Sequence, residues 1–290
     1  MSDQTSTEAY TVAELARQAT GAEILPVVGT VVTVPDGAGS VDVVDLEQYD
    51  AHPRRAVAAR TVYDAGSFAS YLHRHETPAT EVYADVQTAK VTGILDSHEA
   101  AETPMSGIAG WQQHRIVLQL TQSPSWIAWA GNDGKFLPQD EFAEFAEMRA
   151  ADVREPSPAD LLELAQRLTM TKGVEYESGQ RLQDGQKQLV YKETVQARAG
   201  QRGDLEIPQF LRLGIKPYIG GPTYGVTARF RYRLRGTALV LGYVLERPDL
   251  ILESAFGDVV EALRSGIDDD AEKGILGYSA IDAPIFLGKP

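Results

Sequence analysis

Two short runs set imidazole beside carboxylate: His73-Arg74-His75-Glu76 and Asp96-Ser97-His98-Glu99. Those groups together suit zinc, manganese or iron, so the runs could be two halves of a metal site. Spacing argues against it. His73 and His75 are two residues apart, which splits them around a helix and lets them share a face only in an extended segment. They read instead as polar surface histidines near helix and strand ends. Gly131-Asn132-Asp133-Gly134-Lys135 resembles a phosphate loop, but its glycines are too close together. Phe136 also stands where a magnesium-binding hydroxyl belongs. A tight turn between a Trp-rich strand and the following helix accounts for it better. No G-x-S-x-G elbow exists, so serine-hydrolase chemistry has no anchor. Asp140, Glu141, Glu144 and Glu147 read as the solvated face of a helix.

One feature is harder to set aside. Arg229, Arg231, Arg233 and Arg235 alternate with Phe230, Tyr232 and Leu234. A period of two places four guanidinium groups on one face of a strand and an apolar row on the other. The arginines could grip phosphate or RNA with help from nearby aromatics. Alternatively they pair with acids on a neighbouring strand or across a subunit boundary, which the abundance of carboxylates favours.

The elements that must hold these residues are legible from pattern. Thr11 and Glu14 form a capping box ahead of a short helix ending near Gly21. Residues 24–34 read as one or two strands closed by the turn Pro35-Asp36-Gly37. His52-Pro53-Arg54-Arg55 reads as a surface connection. A helix follows Asp64, with Ser67 as its cap and Phe68, Tyr71 and Leu72 facing inward. Residues 82–95 and 114–121 have the alternation of paired strands. Residues 140–150 give a helix with Phe142, Phe145, Ala146 and Arg149 along one stripe. Ser157-Pro158 caps another helix, which buries Leu161, Leu164, Ala165 and Leu168. The last third returns to strands, with Arg235-Gly236-Thr237 as a hairpin turn. A helix over about 250–264, the run Asp268-Asp269-Asp270 and an apolar tail complete the chain. The expected fold class is α+β: a β-rich single large domain with antiparallel sheets, a few short helices and terminal arms. Residues 1–60 would be an N-terminal extension, 61–266 the core and 267–290 a C-terminal arm.

Composition narrows the function. Hydrophobic residues at 43% and charged residues at 23% are ordinary globular usage. The net charge of −14 disfavours nucleic acid unless basic residues are segregated on one face. With no cysteine, disulfides, thiolate nucleophiles and Cys-ligated zinc are excluded. No signal peptide or membrane-length apolar run is present, so a cytoplasmic location without membrane contact is expected.

The segments VPDGAGSVDVVDLE, DAGSFASYLHRH, VYADVQTAKVTGILDSHEA, WIAWAGNDGKFLPQDEFAEFAE, RLQDGQKQLVYKE and PYIGGPTYGVTARFRYRLRGTALVLGYVLERP occur in this order over roughly residues 34–248. In them the chain resembles the YfdQ-like prophage family, whose function is unassigned. GNDGKFLPQDEFAEF and YRLRGTALVLGYVLERP are the most specific blocks. The resemblance implies a phage or prophage setting in a bacterial host and carries over no catalytic residue.

Two readings follow, neither with a catalytic residue, metal or cofactor. The first is a non-enzymatic protein that self-associates into a homo-oligomer, a closed capsid-like shell being one form. Ile275, Leu276, Tyr278, Ile281, Ile285, Phe286 and Leu287 support it, since large apolar side chains cost about 1.5–3 kcal/mol each to leave in water. They must dock on the same chain or on a neighbour. Pro284 and Pro290 point to a draped arm rather than a central strand. The second reading is an accessory factor in phage DNA metabolism or host takeover. It would contact nucleic acid, the less favoured partner, or a host protein through the arginines or the acidic surface. An enzyme of unrecognised type ranks third.

Overall fold

A computed structural model of the protein describes residues 23–24, 31–35, 41–45, 47, 51–53, 55–98, 108–177, 190–198, 207–236, 238–268 and 277–290. The expected capping box at Thr11 and Glu14 lies outside them. The chain forms two compact units, Met1–Ala58 and Ala59–Pro290. In the first, β1 (Glu23–Ile24), β2 (Val31–Pro35) and β3 (Val41–Asp45) make a small antiparallel sheet in sequential order.

The second unit holds two five-stranded sheets, mainly antiparallel, and five helices among the described residues. One sheet has the order β8 (Phe136–Pro138), β14 (Ala238–Leu245), β13 (Tyr224–Arg235), β12 (Phe210–Ile215), β9 (Val153–Glu155). Its inner rows, including Leu211, Leu213, Val226, Ala228, Phe230, Leu241 and Tyr243, pack against α2 (Pro124–Gly131), α3 (Gln139–Met148) and α4 (Pro158–Arg167). The other sheet has the order β15 (Ile285–Leu287), β5 (Glu81–Asp85), β6 (Lys90–Ile94), β7 (His114–Gln119), β4 (Ala58–Val62). Val82, Val91, Ile116 and Leu118 from this sheet share a core with α1 (Ala65–His75) and α5 (Pro248–Ser265). Leu252 on α5 touches both cores. A two-stranded ribbon, β10 (Thr169–Glu177) with β11 (Val190–Arg198), completes the unit.

Local chemistry sets the helix starts. Asp64, not Ser67, caps α1, accepting a 2.7 Å hydrogen bond from the Ser67 amide. The helix therefore starts one turn earlier than a Ser67 cap would set it, with the Asp64 carboxylate serving the Ser67 amide. The Trp-rich segment expected as a strand is the helix α2. Ser123 accepts from the Trp126 amide and Pro124 occupies the first turn. That start is chemically the same as Ser157-Pro158 at α4. Trp126 and Trp129, three residues apart, then fall on one buried face.

The C-terminal segment lies on its own chain. Ile267 and Tyr278 exchange two backbone hydrogen bonds of 2.8 Å, and the Ile281 amide donates to the Leu263 carbonyl at 3.0 Å. Beyond Pro284 the chain adds β15 to the sheet edge, parallel to β5.

Candidate functional site

The arginine row projects from β13. Burial alternates along that strand as expected, with Phe230 in the core and Arg229, Arg231, Arg233 and Arg235 exposed. The expected acids are not opposite them. Across β14, Arg231 faces Gly242, Arg233 faces Val240 and Arg235 faces Ala238. Strand β12 pairs only as far as Arg229, which it meets with Phe210. Among the described residues the row forms one ion pair, Arg229 with Glu246 at 3.6 Å, both half-exposed. Arg233 lies over the Phe136 ring at 3.9 Å from its centroid, and Arg229 stands 5.7 Å from that of Phe210. Arg231 and Arg235 have no ion-pair partner among the described residues.

Tertiary pairing adds members that the row alone does not disclose. Arg212 projects on the same side from β12 and donates to the Thr227 hydroxyl at 2.6 Å. Arg154, from β9, lies over Gly214, where a Cβ would be 2.7 Å from its Nε. Gly242 lets Lys135 approach; a Cβ there would be 2.2 Å from the Lys135 carbonyl oxygen. Phe136, Phe210, Arg212 and Arg154 were missed because strand order decides their neighbours. The alternation in FLRLGI was the signal that could have exposed Arg212.

His73, His75 and His98, the histidines of the two runs, are each engaged with different partners. His73 Nε2 lies 3.0 Å from the Ala280 carbonyl, on the C-terminal segment. The His75 ring meets that of Tyr71 at a tilt and that of His114 edge-on, with centroids at 4.5 and 5.4 Å. Burial, with His75 close by and Arg60 nearby, pushes the His114 imidazole below its ordinary value against the pull of Asp96. His98 Nε2 lies 2.8 Å from Glu81 Oε1, while Ser97 and Tyr83 donate to Oε2 at 2.6 and 3.0 Å. Burial raises the Glu81 carboxyl, but the bonds from Ser97, His98 and Tyr83 outweigh it and leave the group below the carboxylate range. Ser97 is 3% exposed and spends its proton on a carboxylate that orients no base toward it. The arrangement clamps the segment after β6 to β5 rather than presenting a nucleophile. Glu99 lies outside the described residues, among which no cluster of three His, Cys, Asp or Glu could hold a metal ion.

The Gly131–Lys135 loop is a structural turn. Gly134, at φ 71°, donates to the Tyr243 carbonyl, and Asp133 accepts from the Leu245 amide at 2.8 Å. Asp140, Glu141, Glu144 and Glu147 are exposed on α3. In the tail, Tyr278 and Ile285 are half-buried, Ile281 is 7% exposed, and Phe286 and Leu287 are 44% and 78% exposed. Ile275 and Leu276 lie outside the described residues.

Two mainly antiparallel sheets with helices packed against them define a mixed α+β protein, here with one cationic sheet face. The chain belongs to the family described as uncharacterized conserved protein (DUF2303), whose model matches residues 3–273. No curated protein and no solved structure matches it. Among the described residues no helix is long and apolar enough to cross a membrane.

Proposed function

We propose that the protein is a non-enzymatic accessory factor that binds nucleic acid through the arginine face of the sheet centred on β13. The phage or prophage setting is the one implied by its resemblance to the YfdQ-like family. One observation carries this reading: the exposed arginines face glycine, valine and alanine across β14, not carboxylates. Internal ion pairing was the competing use for these cations, and among the described residues it reaches Arg229 alone. In a chain with 41 acidic and 27 basic side chains, Arg231, Arg233 and Arg235, with no carboxylate across β14, are available to an external anion. Fluorescence anisotropy with a labelled oligonucleotide at low salt tests the reading. Binding that Arg231→Ala with Arg235→Ala weakens is expected. Absence of binding at about 50 mM salt, where phosphate contacts are strongest, would overturn it.

Self-association is the second reading, and the β10–β11 ribbon favours it. Nine residue pairs run from Thr169↔Arg198 to Glu177↔Val190, and no third strand joins them among the described residues. Two-stranded ribbons are marginal alone, and open edges invite a strand from another chain. The mass in solution at micromolar concentration tests this: an oligomer supports it and a monomer refutes it.

A further inference from the structure

We infer that the ligand of the arginine face is a single strand of nucleic acid, laid along β13 with its bases turned toward the flanking aromatic rings. The inference rests on the nucleic-acid reading above and adds which form of the polymer fits. Alternate residues of a strand stand about 6.8 Å apart, so the row from Arg229 to Arg235 is about 20 Å long. It is one cation wide. On the β14 side the neighbours are Gly242, Val240 and Ala238. On the other side β12 stops at Phe210, opposite Arg229.

Among the described residues the track continues at the Arg229 end, where Glu246 pairs with Arg229 and Glu155 lies opposite Arg212. Arg212 stands beside Thr227, and Arg154 lies over Gly214. A single bent line of guanidinium groups matches one phosphate backbone. A duplex presents two backbones across a groove, and the second would face valine and alanine.

The rings make the same distinction. Phe210 is 37% exposed, and Phe136 sits beside the row beneath Arg233. Bases in a single strand have free faces that stack on such rings, whereas bases in a duplex hide those faces in their own stack. Arginine on an aromatic ring is itself a platform for a base. Phosphates on the arginines and bases on Phe210 therefore use both components of the face together.

Salt titration of anisotropy separates the components. The probes are labelled oligo(dT) and oligo(rU) of about twelve residues, a length within known single-strand footprints, and a duplex of equal length. Four or five phosphate contacts give a slope of log affinity against log salt of about −3 on a single strand. Arg231→Ala and Arg235→Ala should each reduce its magnitude by about 0.7, and Arg231→Lys should restore it. Phe210→Ala should weaken single-strand binding about tenfold with the slope unchanged, because stacking releases no counterions. Arg74→Ala, at an exposed position of α1, should change nothing. The expected result is that at least one single strand binds ten times or more tighter than the duplex. If the duplex binds as tightly as both single strands, the inference fails while the nucleic-acid reading stands. If no probe binds at low salt, both fail. Unchanged melting temperatures for the arginine variants are expected from their exposure and make any lost binding a property of the face.

Discussion

Truncating Ile281 to alanine should cost far more than truncating the more hydrophobic-looking end of the same segment. Ile281 is 7% exposed and sits in the core formed by α1, α5 and the β5–β7 sheet. Its amide is also fixed to the Leu263 carbonyl, so the site cannot readily collapse around a smaller side chain. Isoleucine-to-alanine changes at such sites cost about 2–4 kcal/mol, the sum of lost transfer energy and residual cavity. Leu287, 78% exposed, should cost no more than about 0.5 kcal/mol. Phe286, 44% exposed and 5.4 Å from the Tyr83 ring, should fall between, at about 1 kcal/mol. Urea unfolding of the three variants is the assay. With a urea slope of about 3 kcal/mol/M for a unit of this size, Ile281→Ala should lower the midpoint by about 1 M. The midpoints should not depend on protein concentration, since the segment docks on its own chain. If Ile281→Ala is neutral while Leu287→Ala is costly, the exposed side of β15 is the buried one in solution. Midpoints that rise with concentration would carry the same message. Either result would refute the reasoning and favour an arm exchanged between copies.

Three further outcomes are expected. Gly242→Ala should destabilise by about 2 kcal/mol or more, because its Cβ would meet backbone at the Lys135 carbonyl, whereas Gly214→Ala meets side chains alone, the movable Arg154 and the Thr223 methyl at 3.3 Å, and should cost less; thermal melts of the pair check this. Asp64→Ala should cost about 1 kcal/mol and Ser67→Ala almost nothing, by the same measurement, and the reverse order would restore Ser67 as the cap. Stability should fall with acid in two stages. His114 is held neutral by burial, so its contribution is complete above the ordinary imidazole value of about 6.5 and is lost as pH falls from there through its depressed folded value. Glu81 is held ionised, so its contribution is complete above about 4.3 and is lost as pH falls through its lowered folded value. Melting temperature followed from pH 7 downward tests both, and His114→Gln, if it folds, should remove the first stage alone.

Much of the fold follows from pattern. The helices at Ser157-Pro158 and over 140–150, the hairpin of the last third and the in–out alternation of β13 all appear in the structure, while the strand run over 82–95 is broken by a turn into β5 and β6. Period and capping are local properties, fixed by residues within a turn or a pleat of one another. The Trp126–Trp129 segment was misread because its aromatic and β-branched content suggests a strand. The serine–proline start and three-residue spacing of the tryptophans carried the correct signal. The sequence by itself determined that four arginines share one face of a strand in a chain of net charge −14. What they face was decided only by the tertiary structure. Strand order and register set glycine, valine and alanine across β14, bring Arg154 and Arg212 to the end of the row, and place Phe136 and Phe210 beside it. These contacts join residues far apart in the chain, and no local period encodes which strand lies next to which.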